Sequence, residues 1–161
     1  MRRWLLALPL LCLAVPLAGA DDWPQWLGPK RDGVWRDKGI LDAFPKDGPK
    51  VRWRRKVGAG YSGPAVAGGR VFLTDRLLAD GVTLSNNGFD MKPLAGSERV
   101  LCLNEADGEV VWKHEYPCEY RVSYASGPRA TPVVDGDRVY TLGTMGHLHC
   151  LDAKKGDVIW S

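Results

Sequence analysis

Arg99-Val-Leu-Cys-Leu-Asn-Glu-Ala-Asp-Gly-Glu-Val-Val-Trp112 returns later in the chain as His147-Leu-His-Cys-Leu-Asp-Ala-Lys-Lys-Gly-Asp-Val-Ile-Trp160. Cysteine, leucine, glycine and tryptophan fall in register in the two copies. Upstream of each copy lies a second recurring block, Pro64-Ala-Val-Ala-Gly-Gly-Arg-Val-Phe72 and Pro132-Val-Val-Asp-Gly-Asp-Arg-Val-Tyr140. The blocks keep their order, and the first copy carries about twenty extra residues between them, so the repeat has a period of about 40 to 50 residues, the mark of stacked supersecondary units. Val51-Arg-Trp53 reads as the tail of a still earlier copy, with Trp53 in the part of Trp112 and Trp160.

Each copy divides into four short strands. The first is expected near Ser62 to Val66 and Ala130 to Val134, and the second over Arg70 to Leu73 and Arg138 to Leu142. The third is expected over Val100 to Leu103 and Leu148 to Leu151, and the fourth over Glu109 to Trp112 and Asp157 to Trp160. Gly68-Gly69 and Asp135-Gly136 stand where a two-residue hairpin turn needs positive φ. Asp107-Gly108 and Lys155-Gly156 supply the tight connections from third to fourth strand. Four antiparallel strands per period, without helical periodicity, predict an all-β chain built of propeller blades. A propeller closes with typically 4 to 8 blades, whereas about two to three are readable here, so the propeller is expected to be incomplete and the missing blades to belong to the same protein.

Composition agrees with a soluble all-β domain and narrows the partners. The 161 residues are 45% hydrophobic and 25% charged, with 19 glycines, 11 prolines and 7 tryptophans, which favours turns and heavy anchors over long helices. The formal charge of +3, from 22 basic and 19 acidic groups, is too balanced to advertise nucleic acid as a partner. Arg2 and Arg3 precede an apolar stretch from Trp4 to Ala18, and Ala18-Gly19-Ala20 supplies the small side chains of a cleavage site, so residues 1–20 read as a secretory signal removed after Ala20. The run is too short for a membrane span and is interrupted by Pro9 and Pro16. Bulky Leu11 before Cys12 argues against a lipid attachment site. Residues 21–50 then form an N-terminal extended segment. A partial propeller domain follows over 51–161, with a blade tail at 51–56 and blades at 60–113 and 128–161. Cys102, Cys118 and Cys150 remain in a chain bound for an oxidising compartment; their number is odd and no Cys-x-x-Cys pair occurs.

Leu151-Asp-Ala-Lys-Lys-Gly-Asp-Val-Ile-Trp160 resembles the tryptophan-docking motif of PQQ-like (pyrroloquinoline quinone, quinoprotein-type) β-propeller repeats, a family with quinoprotein dehydrogenases and outer-membrane assembly propellers among its members. The other copy departs from the pattern at Asn104 and Asp107, where the family usually has Asp and Thr. The opening Asp22-Trp-Pro-Gln-Trp26 and Gly28-Pro-Lys-Arg-Asp-Gly33 is similar to the start of exported bacterial proteins of this type. The resemblance is specific for the fold and nearly silent on chemistry, because cofactor-free members carry the motif too. Independently of the family, an indole on the outer strand can fill the wedge between radial sheets, with glycine allowing close approach. Trp53, Trp112 and Trp160, with Gly108 and Gly156, are therefore read as structural docking residues.

In such a meander the loops after strands two and four share one face, and all the added length, Thr74 to Glu98 and Lys113 to Arg129, falls there. Variable loops on a rigid scaffold carry recognition, so this face is expected to meet an envelope protein or a small ligand. Tyr61-Ser-Gly-Pro64 aligns with Arg129-Ala-Thr-Pro132, which puts Tyr61, Ser62, Arg129 and Thr131 at the mouth of the central funnel. Arg129 can clamp a carboxylate or phosphate, and the resemblance implies contact with an acidic quinone; an ion pair with a neighbouring blade is the plainer reading.

Other residues are read as structural. His147 and His149, on one strand face, lack a third metal ligand and are taken as ordinary strand positions. Cys102 and Cys150 are taken as small buried hydrophobes, and Cys118, in a loop, as the freer thiol. Arg52-Trp-Arg-Arg-Lys56 is taken as a charged strand edge. Asp75, Asp80 and Asp90 do not have calcium-loop spacing. No catalytic constellation is present. The expected function is a non-catalytic binding or assembly scaffold of the bacterial envelope, periplasmic or secreted. The alternative is a PQQ-dependent alcohol or sugar dehydrogenase holding PQQ and calcium, with its catalytic residues largely outside this chain.

Overall fold

The computed structural model describes residues 21–161 except 84, 86, 88, 89 and 123–126; the signal-peptide expectation for residues 1–20 lies outside the described residues. Among the described residues the chain forms eight strands in two sheets and no helix. The first sheet holds β1 (Ala65–Ala67), β2 (Arg70–Leu78), β3 (Gly96–Asn104) and β4 (Val110–Pro117). The second holds β5 (Val133–Asp135), β6 (Arg138–Leu142), β7 (Leu148–Asp152) and β8 (Val158–Trp160). Each is an antiparallel meander with its strands in chain order.

The repeat is reproduced down to register. Phe72 pairs with Cys102 and Cys102 with Trp112 in the first sheet; Tyr140 pairs with Cys150 and Cys150 with Trp160 in the second. Both third strands then shift register immediately after the cysteine, at Cys102/Leu103 and Cys150/Leu151. Cysteine is small enough to sit between two large rings on a pleated face. Phe72 and Trp112 accordingly lie 5.9 Å apart and tilted by 51°, and Tyr140 and Trp160 6.0 Å apart at 50°. Both cysteines are fully buried and unbridged.

Successive residues of a strand point to opposite faces, and the first sheet is apolar on both. One face carries Ala65, Phe72, Val100, Cys102 and Trp112 and packs against Val139, Leu151, Ala153 and Val134 of the second sheet. The other, with Val71, Leu101 and Leu103, is covered by Trp53 from the segment before β1. Val139 and Leu151 are the repeat equivalents of Val71 and Leu103, so the same face of each sheet receives the tryptophan that precedes it.

Four expectations need correction. The first hairpin turns on Gly68-Gly69, but the second turns on Gly136-Asp137, because Asp135 is still paired with Arg138. The first strands, Ala65–Ala67 and Val133–Asp135, are shorter than expected; ahead of the first, Ser62 is tied to β2 through its hydroxyl and Ala59 by an isolated bridge to Arg76. The stretch from Thr74 to Glu98 is not all loop: β2 and β3 run to Leu78 and Gly96, and β4 to Pro117, as a three-stranded extension with no counterpart in the second sheet. Finally, the basic run at Arg52 to Lys56 belongs to no strand; Arg55 reaches Glu109 at 3.3 Å.

The N-terminal segment is tied to both sheets. Trp23 exchanges both backbone hydrogen bonds with Val66, at 2.8 and 2.9 Å, and the Pro24 carbonyl accepts from the Val134 N–H at 2.8 Å. The Trp23 ring lies over Gly28, which has φ +78°, where a Cβ would stand 2.9 Å from the indole.

The tryptophan docks are alike in detail. Trp53 Nε1 donates to the Glu105 carbonyl at 2.8 Å, and Trp112 Nε1 donates to the Ala153 carbonyl at 3.0 Å. A Cβ on Gly108 would lie 2.5 Å from the Trp53 ring, and one on Gly156 2.6 Å from the Trp112 ring; both glycines have left-handed φ, +74° and +78°. The glycine therefore makes room for an indole as well as for a turn, where the sequence suggested close backbone approach. The turn is fixed by the Asn104 or Asp152 side chain, whose Oδ1 accepts from the Ala106 N–H or the Lys154 N–H at 2.8 Å. Asparagine offers the same acceptor as aspartate, so the departure at Asn104 leaves the turn intact. Trp112→Ala is expected to cost about 3–5 kcal/mol, as removal of a large buried aromatic does. Gly156→Ala is expected to cost about 1–3 kcal/mol from the left-handed backbone alone. Midpoints of urea unfolding at constant slope measure both.

Candidate functional site

The face opposite the tight turns gathers the 79–95 connection, the 118–132 connection and the β6–β7 turn. The two long connections are held to each other: Leu94 and Tyr120 form a backbone bridge, and Arg121 binds the Asp90 carboxylate at 3.2 Å and the Asn87 carbonyl at 3.0 Å. A recess of about 210 Å³ opens there, lined by Arg129, Ala130, Leu142, Gly143 and Thr144.

The funnel-mouth residues named from the sequence separate into two pairs. The Arg129 guanidinium lies over the Tyr61 ring, 5.4 Å from its centre, and the Tyr61 N–H donates to the Pro128 carbonyl at 2.8 Å. Both side chains are exposed, and this pair is the accessible part of the group. Ser62 is half-buried, its hydroxyl donating to the Thr74 carbonyl at 3.1 Å. The Thr131 hydroxyl is buried without a hydrogen-bond partner, and a Cβ on Gly63 would stand 3.1 Å from it. Ser62 and Thr131 are thus turned inward, while Arg129 lines the recess and Tyr61 packs beside it.

Beneath the recess lies a polar joint between the sheets that sequence reasoning missed. Glu98, only 1% exposed, accepts from Tyr120 Oη at 2.7 Å, from Tyr116 Oη at 2.8 Å and from the Thr144 N–H at 3.2 and 3.3 Å. Gly143 brings the turn of the second sheet onto this carboxylate; a Cβ there would run into Tyr116 Oη and Glu98 Oε2. Arg76, also buried, stacks 3.7 Å from the Tyr120 ring centre and donates to the Leu94 and Tyr120 carbonyls, each at 2.8 Å. Asp75 is held by Arg99 and by the Gly58 N–H. The hydrogen bond from Arg99 to Asp75 keeps the guanidinium pKa above its ordinary value. Among the described residues no three His, Cys, Asp or Glu side chains are grouped to hold a metal ion, and Asp75 and Asp90 serve separate ion pairs. The available signal was the alternation Trp112-x-His114-x-Tyr116, which puts three aromatic side chains on one strand face toward the second sheet.

Burial, and then Glu98, push the Tyr116 hydroxyl far above the ordinary phenol range; burial pushes Tyr120 up to about 12. Cys118, expected as the freer thiol, is instead buried at 3% exposure, with Sγ 3.8 Å from His147 Nδ1, and burial raises its pKa.

Residues 96–161, from the start of β3 through β8, match the family model described as outer membrane protein assembly factor BamB, a PQQ-like repeat. No curated protein matches the chain.

Glu98→Gln turns one acceptor into a donor facing donors and is expected to cost about 1.5–3 kcal/mol, the worth of a buried hydrogen bond to a charged group; urea unfolding of the variant measures it. Tyrosines raised by folding also make stability fall as pH climbs past 10, because the unfolded chain ionises first. Absorbance titration at 295 nm should show Tyr120 resisting ionisation to about pH 12 and Tyr116 beyond it.

Proposed function

We propose that this chain, with a PQQ-like repeat over residues 96–161, is part of an exported β-propeller that serves the bacterial envelope as a binding or assembly scaffold rather than as an enzyme. The observation that carries the reading is the division of labour among its polar groups. The buried acids Asp75 and Glu98 are committed to Arg99, two tyrosines and backbone amides, while exposed Arg129 lines the recess on the loop-rich face with exposed Tyr61 packed against it. A rigid platform with an aromatic and a guanidinium at its surface has the composition of a protein-binding hot spot. The matched model is named for an assembly factor, which supports the same reading. Export rests on the Arg2-Arg3 and Trp4–Ala18 pattern; among the described residues no helix is long and apolar enough to cross a membrane.

A quinone-dependent oxidoreductase is the second reading, favoured by Arg129 at the recess rim, where a guanidinium suits acidic groups. Among the described residues no carboxylate lines that recess, so calcium ligands would have to come from elsewhere.

Full-length protein supplied with PQQ and calcium is expected to leave an electron-acceptor dye unreduced with alcohols and sugars; dye reduction overturns the scaffold reading. A photo-crosslinker at Tyr61 in living cells is expected to capture one discrete envelope protein, and Arg129→Glu to reduce that capture at least tenfold. Capture unchanged by Arg129→Glu would remove this face from the interface.

A further inference from the structure

All three histidines of the chain meet at the joint between the two sheets. His114 comes from β4; His147 and His149 come from the β6–β7 turn and β7. The rings interleave with Tyr116. His114 and His149 have centroids 5.0 Å apart, Tyr116 is 4.6 Å from His149 and 5.1 Å from His147, and His147 stacks on His149 at 6.5 Å and 17°. His149 is 7% exposed, and its Nδ1, like His114 Nε2, is buried without a hydrogen-bond partner. Among the described residues neither of these two nitrogens has an acceptor for the proton it would carry in an imidazolium.

We propose that this joint is an acid-opened hinge. Protonation of the His114–His149 pair parts the two sheets at their loop-rich end, while the Trp112 dock on Gly156 holds them together at the other. The proposal goes beyond the scaffold reading and does not depend on it.

The surrounding groups fix the sign. Acting on the pair are Tyr116 from β4, packed against both rings, His147 from the turn of the second sheet, and Glu98 from β3; one step further out, Cys118 lies against His147, Tyr120 bonds Glu98, and Arg76 from β2 stacks on Tyr120. Glu98 is the one acid among them, and its oxygens already accept from Tyr116, Tyr120 and the Thr144 amide. Lys113 and Glu115 alternate onto the opposite face of β4, where they pair with each other. Burial lowers the pKa of both His114 and His149, and His114 and His147 lower that of His149 further, against Glu98. A histidine depressed on folding contributes stability that is present above the ordinary imidazole value of about 6.5 and is lost as pH falls toward the folded value. The two sides of the hinge are thus closed at neutral pH and driven apart as pH falls below the ordinary imidazole value.

The test uses the full chain. Long-range proton–nitrogen spectra of the three imidazoles are recorded from pH 8 to 4.5. Amide hydrogen exchange, corrected for its intrinsic pH dependence, is followed at Gly143 and Thr144, whose N–H groups bond His147 and Glu98. His114 and His149 are expected to titrate below 6.5, and exchange at Gly143 and Thr144 to accelerate at least tenfold between pH 7 and 5, with the Trp112 indole N–H still protected. His114→Gln combined with His149→Gln is expected to remove the acceleration. Titration of both at or above 6.5, flat exchange, equal loss at Trp112, or an unchanged acceleration in the double variant, which would assign it to Glu98, each overturns the proposal. Should the double variant fail to fold, the imidazole titration and the exchange profile of the parent chain decide alone.

Discussion

Everything in this architecture depends on one indole finding one glycine. A sheet with two apolar faces cannot be left unstacked in water, since burial of apolar area is the main term that holds such a domain together. Flat stacking, however, would let neighbouring sheets slide. The tryptophan prevents that. Its ring occupies the space a Cβ would need on Gly108 or Gly156, and its N–H reaches a carbonyl three residues before that glycine. Hydrophobic burial supplies the drive, and the hydrogen bond with the left-handed glycine supplies the register.

The opposite end of the joint solves the problem with different chemistry. There the contact is polar, built on Glu98, two tyrosine hydroxyls and the Thr144 amide, with the histidines alongside. Buried polar networks of this kind are worth most when every member is satisfied. Here the carboxylate is satisfied and parts of its surroundings are not: two nitrogens of Arg76 and the Thr141 hydroxyl also lack partners. The apolar end is the firmer anchor and the polar end the adjustable one.

The docked end was legible because it recurs. Two copies of Leu-Asx and Gly-x-x-x-Trp give the strand order, the turns and the role of the indoles before any coordinate is known. The polar end has no second copy. His147 and His149 stand opposite Arg99 and Leu101 in the alignment, so repetition is silent there. Glu98 and Tyr116 come together only because β2, β3 and β4 are longer than their counterparts, and length added to one copy looks like a loop when the other is the template. The funnel-mouth group was half legible for the same reason: Tyr61 and Arg129 align and do meet, while the different burial of Ser62 and Thr131 depends on β2 and on Gly63, which the alignment does not weigh.

The attachment of residues 23 and 24 has a kinetic meaning. Trp23 pairs with Val66 in one sheet, and the very next residue accepts a hydrogen bond from Val134 in the other. Neither sheet alone offers both partners, so this strap can settle only once stacking is complete. Such long-range closure is entropically expensive and comes late in folding. Residues 23 and 24, which precede both sheets in the chain, are in this way fastened last, a latch that records the sheets' having come together.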